Sequence, residues 1–281
     1  MSADYDDDRL PDEDSAGRVI LRWIFGIAGV IALAVLLGLY SFVQITEEKP
    51  AETLLARAMV PLSQIDELLA SPYYGELRSQ AQAAADAGET LVPTRLPVAI
   101  ELEPEEVLDT SPEELRAIIL QRSAARLYEE GIDAFLVEGG TREDVDRFSP
   151  GGTVDLGFGN LTRDAHDNAE GYLQIVGIAV AISLGLFVLL GRGFGRITLL
   201  GVAILLASLI SIGGLFAARA LLGTLTSADG DPFIEGLNNV MSDGVALPIQ
   251  NFVTFAGLGL GVVVLGAIVT LVSRRFDYGA E

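Results

Sequence analysis

Cysteine is absent from this 281-residue chain, and histidine occurs only once, at His166. Without cysteine there are no disulfides, thiolate metal sites, iron–sulfur clusters or cysteine nucleophiles. A lone histidine in an acidic loop is typical of a solvated side chain, and it lacks the partners that a zinc site needs. The serines form no nucleophile elbow. We therefore predict no catalytic, cofactor-binding or metal-binding residues, and we expect a protein that is not an enzyme.

Basic residues are scarce, with 18 Lys and Arg against 39 Asp and Glu, which gives a formal net charge of -21. Because nucleic-acid phosphates are neutralised by Lys and Arg, this charge argues against nucleic acid as a partner. Lys49 is the single lysine. An acidic, lysine-poor chain is typical of a halophile, but a high-GC genome also favours arginine, so both origins remain open.

Apolar residues make up 50% of the sequence, and many of them lie in four continuous runs. Each run is about as long as a helix needs to be to cross a ~30 Å hydrocarbon core. No ionisable residue lies in the middle of any run. Continuous rather than alternating apolarity favours helices over the strands of a barrel. We predict an α-helical polytopic membrane protein with transmembrane helices over residues 18–45, 173–191, 197–221 and 252–273.

Arginines flank these helices and predict their orientation, because short cytoplasmic loops and flanks are enriched in Lys and Arg. Six arginines fall on one side: Arg18, Arg22, Arg192, Arg196, Arg274 and Arg275. We expect a cell-membrane protein whose N- and C-termini are cytoplasmic. On that side we place a disordered acidic tail (1–17), a turn whose arginines meet anionic lipid headgroups (192–196) and a second tail (274–281). Residues 46–172 and 222–251 are then external.

The external soluble domain, residues 46–172, carries helix signals and two strand signals. Helices are predicted over Pro61–Ala70, over Tyr73–Ala87 before Gly88, and over Pro112–Glu130, where Ser111 and Glu114 form a capping box. Residues 98–102 and 154–158 alternate like short strands. These signals predict a helix-rich α+β domain. In the external loop 222–251, a short amphipathic helix is expected to begin at Pro232.

Small residues recur every four positions on three of the predicted spans. The sets are Gly177, Ala181 and Gly185; Ala203, Ala207 and Ser211; and Gly257 and Gly261. Small residues at this spacing let helices approach closely in a membrane. The sequence leaves two uses open. One is packing within the four-helix bundle, and the other is a seam with a second copy or another subunit.

One span, a large external domain and three further spans resemble, in outline, the permease-like proteins of the FtsX and MacB type. In that family a cytoplasmic coupling segment separates the second and third spans and engages an ATPase, whereas here only residues 191–196 lie between them. The resemblance stops at topology, and we assign no family.

The expected function is that of a non-enzymatic, partner-binding, scaffolding or accessory subunit acting through the external domain. The alternative is a transport component, either an oligomeric channel or a permease-like subunit. The lack of ionisable residues in the middle of the spans argues against a proton-coupled transporter, because proton relays usually need such residues. The expected partners are the lipid bilayer and either another membrane or external protein or a second copy of this chain.

Overall fold

A computed structural model describes residues 13–63, 65–70, 72–93, 96, 98–135, 159–191, 195–225 and 232–277. These residues form nine α-helices and one 3₁₀ helix (Gly131–Phe135). The α-helices are α1 Glu13–Thr46, α2 Glu48–Ser63, α3 Ile65–Leu68, α4 Tyr73–Ala87, α5 Pro104–Asp109, α6 Pro112–Glu130, α7 Arg163–Leu190, α8 Gly195–Leu225 and α9 Pro232–Asp277. The strand predicted at 154–158 lies outside the described residues.

Four of these helices are long and apolar enough to cross a membrane. The candidate spans are Gly17–Thr46, Arg163–Leu190, Gly195–Ala220 and Gly244–Ser273. Their surfaces carry many exposed aliphatic side chains, including Ile175 and Leu189 at 66% and 72% exposure. Such a surface is unfavourable in water but compatible with lipid. The mostly helical fold with four such helices is confirmed.

The short helix expected within 222–251 is not a separate element. It begins at Pro232 as predicted but continues to Asp277 as α9, through Pro248 in its interior. Proline lacks the N–H that would donate to the carbonyl of Gly244, so the helix loses one hydrogen bond there. Helices at membrane depth tolerate such a loss, which explains why Pro248 does not end α9.

The chain divides into two compact units. One, here called the apolar unit, comprises Met1–Tyr40, Gly171–Ala218 and Pro248–Glu281. The other, here called the polar unit, comprises Ser41–Glu170 and Arg219–Leu247. Each unit draws on separate stretches of the chain, so each is held together by contacts between residues that are distant in sequence.

Within the apolar unit, α1 and α7 run antiparallel and meet at glycines. A Cβ atom on Gly29 would lie 2.6 Å from Leu184 Cδ2, and one on Gly26 would lie 2.9 Å from the Phe187 ring. Further along α1, Leu36 reaches Gly177. Residue numbers rise on α1 as they fall on α7, which is the alternating direction expected of consecutive membrane spans.

Helices α8 and α9 of the described apolar unit approach each other backbone to backbone. A Cβ atom on Gly259 would lie 2.7 Å from the Leu205 amide nitrogen, and one on Gly201 would lie 2.8 Å from the carbonyl oxygen of Gly259. Gly266 lies against Thr198 in the same way. These are backbone atoms that cannot rotate aside, so the seam requires glycine. We call Gly201, Gly259 and Gly266 the glycine seam.

The small-residue faces predicted on α8 and α9 have different outcomes. On α8, Ala203 and Ala207 are buried and the Ser211 hydroxyl donates to the Ala34 carbonyl of α1 at 3.3 Å, so this face packs within the unit. On α9, nothing lies within 4 Å of a Cβ atom on Gly257 or Gly261, so packing within the described bundle does not account for this face, and a seam with another chain stays a prediction. The glycines of α9 that do pack against α8 are Gly259 and Gly266, which are seven residues apart.

The face predicted on α7 is largely open. Gly177 contacts Leu36, but Ala181 and Gly185 are exposed, and nothing lies within 4 Å of a Cβ atom on Gly185. Packing within the described bundle therefore accounts for only the first of these three residues.

In the polar unit, α2, α4 and α6 enclose an apolar core. Its buried residues include Leu55, Met59, Ile65, Leu77, Ala81, Val98, Leu102, Leu115, Ile119 and Leu127. Helices α4 and α6 have the predicted bounds, with the Ser111–Glu114 capping box present and Gly88 in the left-handed conformation (φ 70°). The helix predicted from Pro61 is wrong at its start, since α2 begins at Glu48.

The strand predicted at 98–102 is not formed, and the described residues contain no strand. A single bridge joins Leu91 and Leu102. The alternation is real, because Val98, Ile100 and Leu102 are all buried. However, arginine side chains of α6, and not a neighbouring strand, donate to the backbone carbonyls of this segment: Arg122 donates to that of Glu101 at 2.6 Å, and Arg126 to that of Ala99. An α+β domain is therefore not supported.

The glycine seam predicts a position-specific effect of added methyl groups on stability. Gly259→Ala should lower the free energy of unfolding by about 1–3 kcal/mol, because the new Cβ atom forces the α8 and α9 backbones apart. Thermal unfolding of the purified protein in mild detergent, followed by circular dichroism, measures the change.

Gly257→Ala is the matched control on the same helix. It should leave stability unchanged or raise it by up to about 1 kcal/mol, since alanine favours helix and meets no neighbour. Equal losses in the two variants would contradict the seam.

Candidate functional site

Helix α2 buries one face and leaves a polar ridge on the other. Ala51, Leu55, Ala58 and Met59 follow helical spacing and are buried in the core of the polar unit. Lys49, Thr53 and Arg57 recur every four residues and are exposed, so they line up along the outer side of the helix. We call these three residues the α2 ridge.

A hollow lies on each side of the α2 ridge, and all three ridge residues line both hollows. The first, of about 370 Å³, is lined by Ile45, Lys49, Pro50, Thr53, Leu54, Arg57, Gly244 and Leu247. The second, of about 570 Å³, is lined by Lys49, Glu52, Thr53, Ala56, Arg57, Arg116, Ala117, Leu120 and Gln121. Both combine an apolar floor with basic side chains, which suits recognition of a partner surface.

The charge of the α2 ridge contrasts with the charge of the domain that carries it. Residues 46–172 hold 26 acidic and ten basic residues. Lys49 and Arg57 line both hollows, and Arg116 reaches the second while its Nε donates to Asp66 at 2.7 Å. The ridge is therefore a basic strip on an acidic domain, and it favours partners that present carboxylates.

Three arginines of the described polar unit form ion pairs around α6. Arg122 binds both carboxylate oxygens of Glu106, at 2.8 and 2.5 Å, and Arg163 at the start of α7 binds Glu129 at 2.6 Å. Arg126 pairs with Glu130 one turn further along α6. Exposed pairs of this kind contribute little stability individually. They connect α6 to α5 and to the start of α7.

Glu52 is an unusual carboxyl in the second hollow. Partial burial, reinforced by the nearby carboxylates of Glu48 and Glu129, raises the pKa of Glu52 above its ordinary value. The folded protein therefore holds this proton to a higher pH than the unfolded chain does. The ionised form of Glu52 is therefore disfavoured at this position beside the α2 ridge.

His166 is not merely solvated, contrary to the sequence interpretation. It is half-buried, and its Nδ1 lies 3.1 Å from the hydroxyl oxygen of Thr46, the fully buried last residue of α1. The Tyr128 hydroxyl donates to the Thr46 carbonyl at 3.1 Å, and burial raises the pKa of Tyr128. Together these contacts hold the end of α1 within the polar unit.

No catalytic, cofactor-binding or metal-binding residues were predicted. Among the residues whose placement is described, no three His, Asp or Glu side chains come together as a metal site would require. The α2 ridge was missed because the helix was expected to begin at Pro61. The spacing of Ala51, Leu55, Ala58 and Met59 was the available signal, and Pro50 lies in the first turn, where proline is tolerated.

The raised pKa of Glu52 predicts a pH-dependent gain in stability for Glu52→Gln. Above the ordinary pKa of glutamate, the unfolded chain gains more from ionising this carboxyl than the folded protein does. The variant should therefore be more stable at neutral pH, and the gain should disappear as the pH falls below that ordinary value. Thermal unfolding across this pH range measures it.

Glu89→Gln, at an exposed position beyond α4, is the control and should change stability little. A loss of stability in Glu52→Gln at neutral pH, or a gain that does not depend on pH, would contradict this description of the second hollow.

Comparisons with known proteins add no relative to this description. No protein-family model, no curated protein and no solved structure matches the chain. The functional inference therefore depends on the chain's own residues: four helices fit to span a membrane, and a basic ridge between two hollows on an acidic, helix-rich domain.

Proposed function

We propose that this protein is a non-enzymatic integral protein of the cell membrane that binds or scaffolds a partner protein through the α2 ridge. The ridge carries the proposal, because it is a basic strip on an acidic domain and has a partly apolar hollow on each side. The partner is expected to be a membrane or external protein that places carboxylates on Lys49 and Arg57 and an apolar side chain in a hollow.

In this proposal residues 46–172 and 222–251 are external, and both termini are cytoplasmic. Arg18, Arg22 and Arg196 lie at one end of the apolar helices. They support this orientation because cytoplasmic flanks of membrane helices are enriched in arginine. Four spans bring the two termini to the same side. The acidic tail 1–17, the turn at 192–196 and the tail 274–281 then lie in the cytoplasm.

A transport component is the second candidate, and one observation favours it. Ala181 and Gly185 on α7 are exposed, and nothing in the described chain packs against Gly185. Small residues on an open helix face permit close contact with a second copy. An oligomeric channel would require such a contact, since the spans of one copy hold no ionisable residue in their middle.

The partner proposal predicts a position-specific cross-link. The full-length protein with a photo-reactive residue at Thr53 should cross-link the protein that co-purifies with it at a fixed ratio in mild detergent. The same residue at Gln80, exposed on α4, should not. Mass spectrometry of the adducts identifies the partner and the site of attachment.

Charge substitutions make the prediction quantitative. Lys49→Gln with Arg57→Gln should weaken retention of the partner about tenfold, since two exposed ion pairs together contribute roughly 1.4 kcal/mol. Gln80→Glu with Gln82→Glu changes the net charge by the same amount on α4 and should leave retention unchanged. A homo-oligomer with no second protein would overturn the proposal in favour of the transport component.

A further inference from the structure

Two arginines from different helices flank one buried glycine at an end of the apolar unit. Arg22 comes from α1 and Arg196 from the first turn of α8, and Gly191 follows the last residue of α7. A Cβ atom on Gly191 would lie 3.1 Å from Arg196 Cγ and 3.4 Å from Arg22 Nη2. The three chain segments therefore meet at this point.

The pair carries positive charge that the described protein does not neutralise. Within the described residues neither Arg22 nor Arg196 has an acidic partner, and Nε of Arg196 is buried without a hydrogen-bond acceptor. A buried donor without an acceptor is unfavourable by itself. A bound anion would accept from this donor and balance the two positive charges.

The surroundings hold Arg22 in place and add further positive potential. Its guanidinium lies over the Phe187 ring of α7, 5.4 Å from the ring centroid. Helix α8 begins at Gly195, so its first amide groups lack intrahelical acceptors and its dipole favours an anion. Two arginine side chains thus adjoin the same glycine beside a helix start, a combination of groups that also occurs in phosphate-binding sites.

We propose that Arg22 and Arg196 bind the phosphate group of an anionic membrane lipid. A guanidinium pair matches the oxygens of a phosphate in geometry and charge. Lipid is the source because the site lies at the ends of three apolar helices, where Trp23 and Leu189 are exposed at 59% and 72% and present surfaces for acyl chains. The inference rests on the membrane placement of these helices and not on the partner-binding role of the α2 ridge.

Trp23 provides a direct measurement, because it is the only tryptophan and adjoins Arg22. The full-length protein is reconstituted with brominated phosphatidylglycerol or brominated phosphatidylcholine, and quenching of Trp23 fluorescence gives their relative affinities. The wild-type protein should prefer phosphatidylglycerol several-fold. Arg22→Gln and Arg196→Gln should each lower that preference roughly fivefold, the effect of one cation next to a lipid phosphate.

Arg18→Gln is the matched control, since Arg18 is exposed one turn earlier on α1. It should change the preference by less than about twofold, the part expected from diffuse attraction. An equal loss with Arg18→Gln, or no preference in the wild-type protein, would overturn the proposal. Circular dichroism of each variant confirms that it is folded.

Two measurements on the wild-type protein need no variant. High salt should leave most of the preference intact, because a buried contact is screened less than a surface charge. Complete loss of the preference in high salt would contradict a partly buried phosphate site and would indicate diffuse attraction instead. Millimolar inorganic phosphate should not compete with phosphatidylglycerol. Displacement by phosphate would contradict lipid as the ligand and assign the arginine pair to a soluble phosphate compound.

Discussion

The close approach of α8 and α9 at the glycine seam is the contact on which the apolar unit depends most directly. Lipid tails are as apolar as leucine side chains, so association of helices within a membrane relies on close packing. Gly201, Gly259 and Gly266 bring the two backbones together. The packed faces of α8 then meet α1, where Leu37, Ala207 and Phe252 form a small core, and α1 in turn meets α7 at its own glycines.

The polar unit is organised by burial of apolar side chains from water. Helix α6 supplies much of its core, and its arginines bind the carbonyls of Ala99 and Glu101 instead of leaving them to a neighbouring strand. This arrangement fixes α2 against the core on one side and leaves the α2 ridge exposed on the other. The proposed partner surface is thus a consequence of how the core is filled.

Local signals predicted what is determined locally. Continuous apolar runs gave the four long helices, and the Ser111–Glu114 capping box gave the start of α6. Features that depend on tertiary contacts were missed or wrong. Alternation at 98–102 indicated burial but could not reveal that arginine side chains replace a partner strand. A four-residue spacing selected Gly257, although the neighbouring helix packs against Gly259. The spacing of Ala51, Leu55, Ala58 and Met59 was a signal for the buried face of α2, but the second hollow beside the α2 ridge depends on the packing of α2 against α6.

The proposed topology places residues 46–172 outside and both termini inside, and the absence of cysteine makes this orientation directly measurable. Single variants Ser79→Cys, Ser227→Cys, Ser2→Cys and Ala280→Cys each carry one thiol for a membrane-impermeant maleimide. The first two should be labelled in intact cells, and the last two only after the membrane is opened. Labelling at Ser2 or Ala280 in intact cells, with protection at Ser79, would contradict the orientation and remove the proposed partner surface from the outside of the cell.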